Sequence, residues 1–87
     1  MRVENLTSSN GNYVPNQFNI EDKDKSYFQS YETIIAMRDS KGIVIDSNAW
    51  NYSVTTSKYL RKWLGMDKKE CMRLVAEKRI RVANLNK

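Results

Sequence analysis

The sequence has no histidine and a single cysteine, Cys71. Without histidine, the usual proton carrier at neutral pH is missing. One thiol cannot close an intrachain disulfide, and one cysteine without histidine leaves too few ligands for a zinc site. The three glycines stand far apart, at positions 11, 42 and 65, so there is no glycine-rich loop to cradle a phosphate. No stretch approaches the ~18 consecutive apolar residues of a membrane-spanning helix. The opening Met1-Arg2-Val3-Glu4-Asn5 lacks the apolar core of a signal peptide. Asp22-x-Asp24-x-Ser26 begins like a calcium loop, but Tyr27 replaces the required glycine and Thr33 the closing glutamate. These absences exclude the common routes to catalysis. No catalytic residue, metal or cofactor is expected, no membrane partner either, and the expected activity is binding.

What is present is charge, unevenly placed. The chain has 87 residues and a formal net charge of +5. Residues 1–30 and residues 31–52 each sum to −1, whereas residues 53–87 sum to +7. An excess of this size on one end favours an acidic partner, whether nucleic acid or an acidic protein surface.

The first 30 residues read as a mostly extended or flexible arm, because Leu6-Thr7-Ser8-Ser9-Asn10-Gly11-Asn12 offers little apolar surface to offset its ordering entropy. Residues 31–87 read as one compact domain. Tyr31, Thr33, Ile35 and Met37 alternate with Glu32, Ile34, Ala36 and Arg38, which predicts a strand. Asp39-Ser40-Lys41-Gly42 is turn chemistry, and Ile43-Val44-Ile45 predicts the returning strand. From Ser53 the period changes to that of a helix, with Tyr59, Leu60, Trp63 and Leu64 on one face. Ser53, Thr55 or Thr56 supplies its N-cap, and Gly65 suits its C-terminal end. Asp67 through Glu70 opens a second helix with Cys71, Leu74, Val75 and Lys78 inward. Ile80 and Val82, alternating with Arg79 and Arg81, predict a short last strand. The expected fold is α+β, ββααβ: a small antiparallel sheet with a helical hairpin on one face, preceded by the arm.

Two candidate sites follow. Lys58, Arg61, Lys62, Lys69, Arg73, Arg79 and Arg81, interleaved with Tyr59 and Trp63, compose a surface for nucleic acid or a protein partner. The aromatics serve equally well as core. Thr55, Thr56 and Lys58 at a helix start compose a candidate anion site, with plain N-capping as the alternative. The segment Thr55–Lys78 also has the outline of a helix-turn-helix, in which Lys68 and Lys69 would open the reading helix, although Asp67 would face phosphate unfavourably.

Ser30-Tyr31-Glu32-Thr33-Ile34-Ile35-Ala36, Asp39-Ser40-Lys41-Gly42, Trp50-Asn51-Tyr52-Ser53-Val54-Thr55-Thr56-Ser57-Lys58-Tyr59 and Trp63-Leu64-Gly65 together carry a resemblance. Over about residues 30–85 the chain resembles short bacteriophage and mobile-element proteins with the pattern S-Y-x-T-x-I-A … W-x-Y-S-x-T-T-x-K-Y-x-x-x-[FW]-L-G. The resemblance implies a phage source and a place in the cytoplasm of the bacterial host; it implies no activity. Taken with the charge, it leads to two expectations. One is a non-catalytic inhibitor or modulator of a host nucleic-acid-processing or defence complex, anti-CRISPR-type, acting through the basic end. The other is a DNA- or RNA-binding regulator using the helical pair. The expected partner is a host nucleoprotein complex or nucleic acid, bound by a monomer or small homo-oligomer.

Overall fold

The computed structural model describes residues 1–8, 10–48 and 54–86. The elements run β1 (Arg2–Thr7), β2 (Tyr13–Asp22), β3 (Lys25–Ser30), β4 (Thr33–Asp39), β5 (Gly42–Asp46), α1 (Val54–Leu64), α2 (Lys68–Ala76) and β6 (Ile80–Ala83). All the strands join one sheet in sequence order, antiparallel from β1 to β5 and parallel between β5 and β6. The parallel step requires a crossover, which α1 and α2 provide. The fold is α+β, and its second half is the expected ββααβ.

Residues 1–30 correct one expectation. Their backbone is extended, but it forms three paired strands of the same sheet and contributes Phe28, fully buried, to the core. Phe18 and Ile20 alternate with Asn19 and Glu21 along β2, so each face of the strand receives one kind of residue. The β2–β3 and β3–β4 hairpins were hidden because their turns lack glycine, whereas the β1–β2 turn holds Gly11 at φ 82°. Lys23 and Tyr31 take the positive φ of the two-residue turns, at 58° and 56°. Such angles usually select glycine or asparagine.

The β4–β5 hairpin forms as its residues dictate. The Lys41 N–H donates to Asp39 Oδ1 at 2.8 Å, and Gly42 takes a φ of 123° to close the turn. A bulge lies between β3 and β4, where the register shifts at Phe28/Gln29 and leaves Ile35 as the extra residue. Ile35 and Ala36 are consequently both fully buried, which strict alternation would not allow.

The core lies between the sheet and the helices: Phe28, Ile35, Ala36, Ile45 and Ile80 meet Leu60, Leu64 and Cys71. Leu74 and Val75 pack on its margin, as the helical spacing requires. On the sheet's other face, Val3, Ile20, Tyr27, Met37 and Val44 are successive cross-strand partners and form one apolar row. The segment after β6 folds back and is tied by Asp46. This buried carboxylate accepts from Leu85 N–H at 2.8 Å, Asn48 N–H at 3.1 Å and Asn86 Nδ2 at 3.1 Å. Asn86 also bonds both backbone groups of Ile34, at 2.7 and 2.8 Å, standing in for a neighbouring strand.

Both helices end in the same motif with different residues. At α1, the Met66 N–H reaches the Arg61 carbonyl and Gly65 takes φ 76°. At α2, the Arg79 N–H reaches the Leu74 carbonyl and Lys78 takes φ 62°. These are Schellman ends, which favour glycine because a Cβ crowds the left-handed conformation. Lys78, expected on the inner stripe, is therefore exposed beyond the helix. Lys78→Gly should stabilise the protein by roughly 0.5–1 kcal/mol and Gly65→Ala should cost about 1 kcal/mol, read from urea midpoints at unchanged m-value.

Candidate nucleic-acid or partner interface

The exposed positions of α1, Val54, Thr55, Lys58 and Lys62, fall along one outward stripe, with Arg61 half-buried at its side. Leu60 and Leu64 hold the opposite stripe in the core, and this anchoring aims the lysines outward. Lys62 Nζ donates to the Thr7 carbonyl of β1. Lys58 Nζ lies 5.5 Å from the centre of the Tyr59 ring. In the first turn of α2, Lys68 and Lys69 are both exposed. That turn is fixed by Asp67, whose carboxylate accepts from the Glu70 N–H at 2.8 Å. Among the described residues, Lys58, Arg61, Lys62, Lys68 and Lys69 have no carboxylate within ion-pair distance.

The other three predicted basic residues are engaged. Arg73 bridges Glu70 at 3.6 Å and Glu77 at 3.2 Å, and Glu77 also holds Arg79 at 3.4 Å. Arg81 pairs with Val44 in the sheet, on the face away from the helices, and stands 4.0 Å from Asp39. The seven predicted residues thus do not converge on one surface. Lys58 and Lys62, with Arg61 beside them, share the outward stripe of α1, and Lys69 is exposed separately at the start of α2; Arg73 and Arg79 are ion-paired and Arg81 lies near Asp39.

The aromatic residues are structural. Trp63 stacks on Phe28 with ring centres 6.2 Å apart and planes at 27°. The Arg38 guanidinium covers the indole at 4.6 Å and donates to the Trp63 carbonyl at 3.2 Å. Indole Nε1–H donates to Asn19 Oδ1 at 2.7 Å. These contacts make the ring part of the packing of α1 on the sheet. Tyr59 packs at the margin of the core. Sequence reading missed Arg38 and Asn19, because only the pairing of β2, β3 and β4 brings them to α1.

The candidate anion site is also changed. The Thr56 side chain is buried, its hydroxyl 3.2 Å from that of Ser30, so it does not face a ligand. Thr55 and Lys58 remain exposed on α1. Thr55 and Thr56 lie inside the helix, and the third expected cap, Ser53, lies outside the described residues with Trp50 and Tyr52 of the resemblance pattern.

Among the described residues, no three side chains of metal-ligating type are grouped to hold an ion, and no helix is long and apolar enough to cross a membrane. Cys71 is buried in the core, and burial pushes its thiol up from the usual range, partly offset by the Arg61 charge. The folded protein therefore holds this proton to higher pH than the unfolded chain. The contribution is complete below the ordinary thiol pKa of about 8.5 and is lost as pH rises through the raised folded value. Stability measured in urea at about pH 9 should fall relative to pH 7 by more in the native sequence than in Cys71→Ala.

Fold and surface together define a small α+β protein with a two-helix crossover whose helices carry exposed lysines without carboxylate partners among the described residues. The chain belongs to the DUF8033 family, a family of unknown function, whose model matches residues 1–81 and so takes in the first three strands. No curated protein and no solved structure matches the chain.

Proposed function

We propose that this protein is a non-catalytic binding protein that docks, through the α1 and α2-start face, onto nucleic acid or an acidic surface within a host nucleoprotein complex. In this reading it is a phage-encoded inhibitor or modulator of host nucleic-acid processing or defence. The observation that carries it is the set of five cations, Lys58, Arg61, Lys62, Lys68 and Lys69, without carboxylate partners among the described residues, while Arg73 and Arg79 are ion-paired. Charges that intramolecular pairs do not neutralise are the ones available to release counterions from a polyanion. Because Trp63 and Tyr59 belong to the packed structure, recognition runs through phosphate charge and shape.

The second reading is a DNA- or RNA-binding regulator with α2 as the reading helix. It draws on Lys68 and Lys69, exposed in the first turn after a three-residue connection from α1. Against it, Asp67 caps the end that would face phosphate.

Binding to naked duplex, single-stranded DNA and RNA across a salt series separates the two. A regulator binds one of these alone, with affinity falling steeply as salt rises. An inhibitor binds them weakly and co-elutes with a nucleoprotein from host lysate in a nuclease-sensitive or nuclease-resistant manner, according to what it touches. Failure in both assays would sink both readings.

A further inference from the structure

The outer strand β6 presents a second surface, remote in chemistry from the helical face and independent of the reading above. It is the last strand of the sheet, and among the described residues no backbone group pairs with its outer edge. The Ala83 carbonyl turns inward to the Ser47 N–H at 2.8 Å. By strand alternation, the N–H and C=O of Val82 then turn outward. A cleft of about 520 Å³ runs along the strand, with Val44, Val75, Ile80 and Val82 in its wall and Lys78 and Arg81 among them. Val82 is 47% exposed, so the open edge carries apolar surface beside its outward backbone groups.

Charge decides what this edge accepts. Lys78 has no carboxylate partner among the described residues, and Arg81 is held by Asp39 only at 4.0 Å. Arg79 is paired with Glu77. A second copy offering its own β6 would bring these cations against one another. We propose that β6 and its cleft take an extended acidic segment of a protein partner, added to the sheet as a further strand. Main-chain bonds to Val82 would supply affinity, one apolar side chain would enter the cleft, and carboxylates flanking it would meet Lys78 and Arg81. Strand addition of this kind combines main-chain bonding with pockets for alternate side chains.

The probe is a synthetic Ac-Gly-Glu-Val-Glu-Val-Glu-Gly-amide, titrated into the isotope-labelled full chain and followed by amide chemical shifts, with the peptide carrying lysine in place of glutamate as control. Saturable shifts at Val82 and Ala83 at millimolar peptide are expected, and none with the lysine peptide. The double variant K78E/R81E should weaken binding at least about tenfold. Val82→Pro should abolish it while leaving other amide shifts in place, since proline is tolerated on an edge whose N–H faces solvent. Absence of saturable shifts, equal binding by the lysine peptide, or shifts confined to α1 would overturn the proposal. So would concentration-dependent shifts of β6 without peptide, which would assign the edge to a second copy.

Discussion

Phe28→Ala should destabilise the protein by about 3–5 kcal/mol, a large part of the roughly 5–15 kcal/mol that holds a typical domain folded. Phe28 is fully buried between the sheet and α1, and its ring stacks against Trp63. Removing it leaves a cavity whose walls are Ile35, Leu60 and neighbours fixed by the sheet register, so little collapse can fill it. The indole would lose its packing on that side, loosening the Asn19 and Arg38 contacts that tie β2 and β4 to α1. Tyr13→Ala is the control: Tyr13 also lies in the first thirty residues but is 79% exposed, and its loss should cost within about 0.5 kcal/mol. Urea unfolding reads both. Equal, small effects would mean that residues 1–30 are an appendage after all.

The second large effect concerns binding. Reversing Lys58, Arg61, Lys62 and Lys69 to glutamate should reduce affinity for the polyanionic target by about a thousandfold or more. If the five cations without carboxylate partners each neutralise one phosphate of a duplex, log K should fall with log salt at a slope of about −4.5, and in the reversed variant the slope should approach zero. Reversing Arg73 and Arg79 should do far less, because both already face Glu70 or Glu77. The contrast between the two variants is the informative measurement, since they change charge in the same sense. All of these positions but Arg61 are exposed, so circular dichroism should confirm an unaltered fold. Comparable loss per reversed charge in both variants would mean that only net charge matters and that the helical positions have no special role.

Much of the second half was legible in the sequence because each element there carries its own signal. The β4–β5 turn has Asp39 and Gly42 where a turn needs them. The helices are bracketed by Gly65 and Asp67, and their apolar spacing matches the buried stripe of Leu60, Leu64 and Cys71. In the first half such signals are few beyond Gly11 in the β1–β2 turn. Its strands alternate around polar residues, and its turns set Lys23 and Tyr31 at angles that composition assigns to glycine. Lys78 misled in the same way, since a lysine in the left-handed position looks from sequence like one more helical residue. These conformations are held by the pairing of flanking strands and by packing, at a local cost that local preference alone would not bear.

The lack of histidine, the single cysteine and the +7 surplus over residues 53–87 follow from the sequence alone, and they are enough to point to charged binding. Which charges are free is decided only in three dimensions. Ion pairing depends on distances of a few ångström, and residues spaced four apart on a helix, such as Arg73 and Glu77, meet only when that helix forms. Arg81 meets Asp39 only when β5 seats β6 beside it, and Arg38 covers Trp63 only when β4 lies beneath α1. Composition fixes the amount of charge; the sheet and its two-helix crossover determine where that charge remains uncompensated.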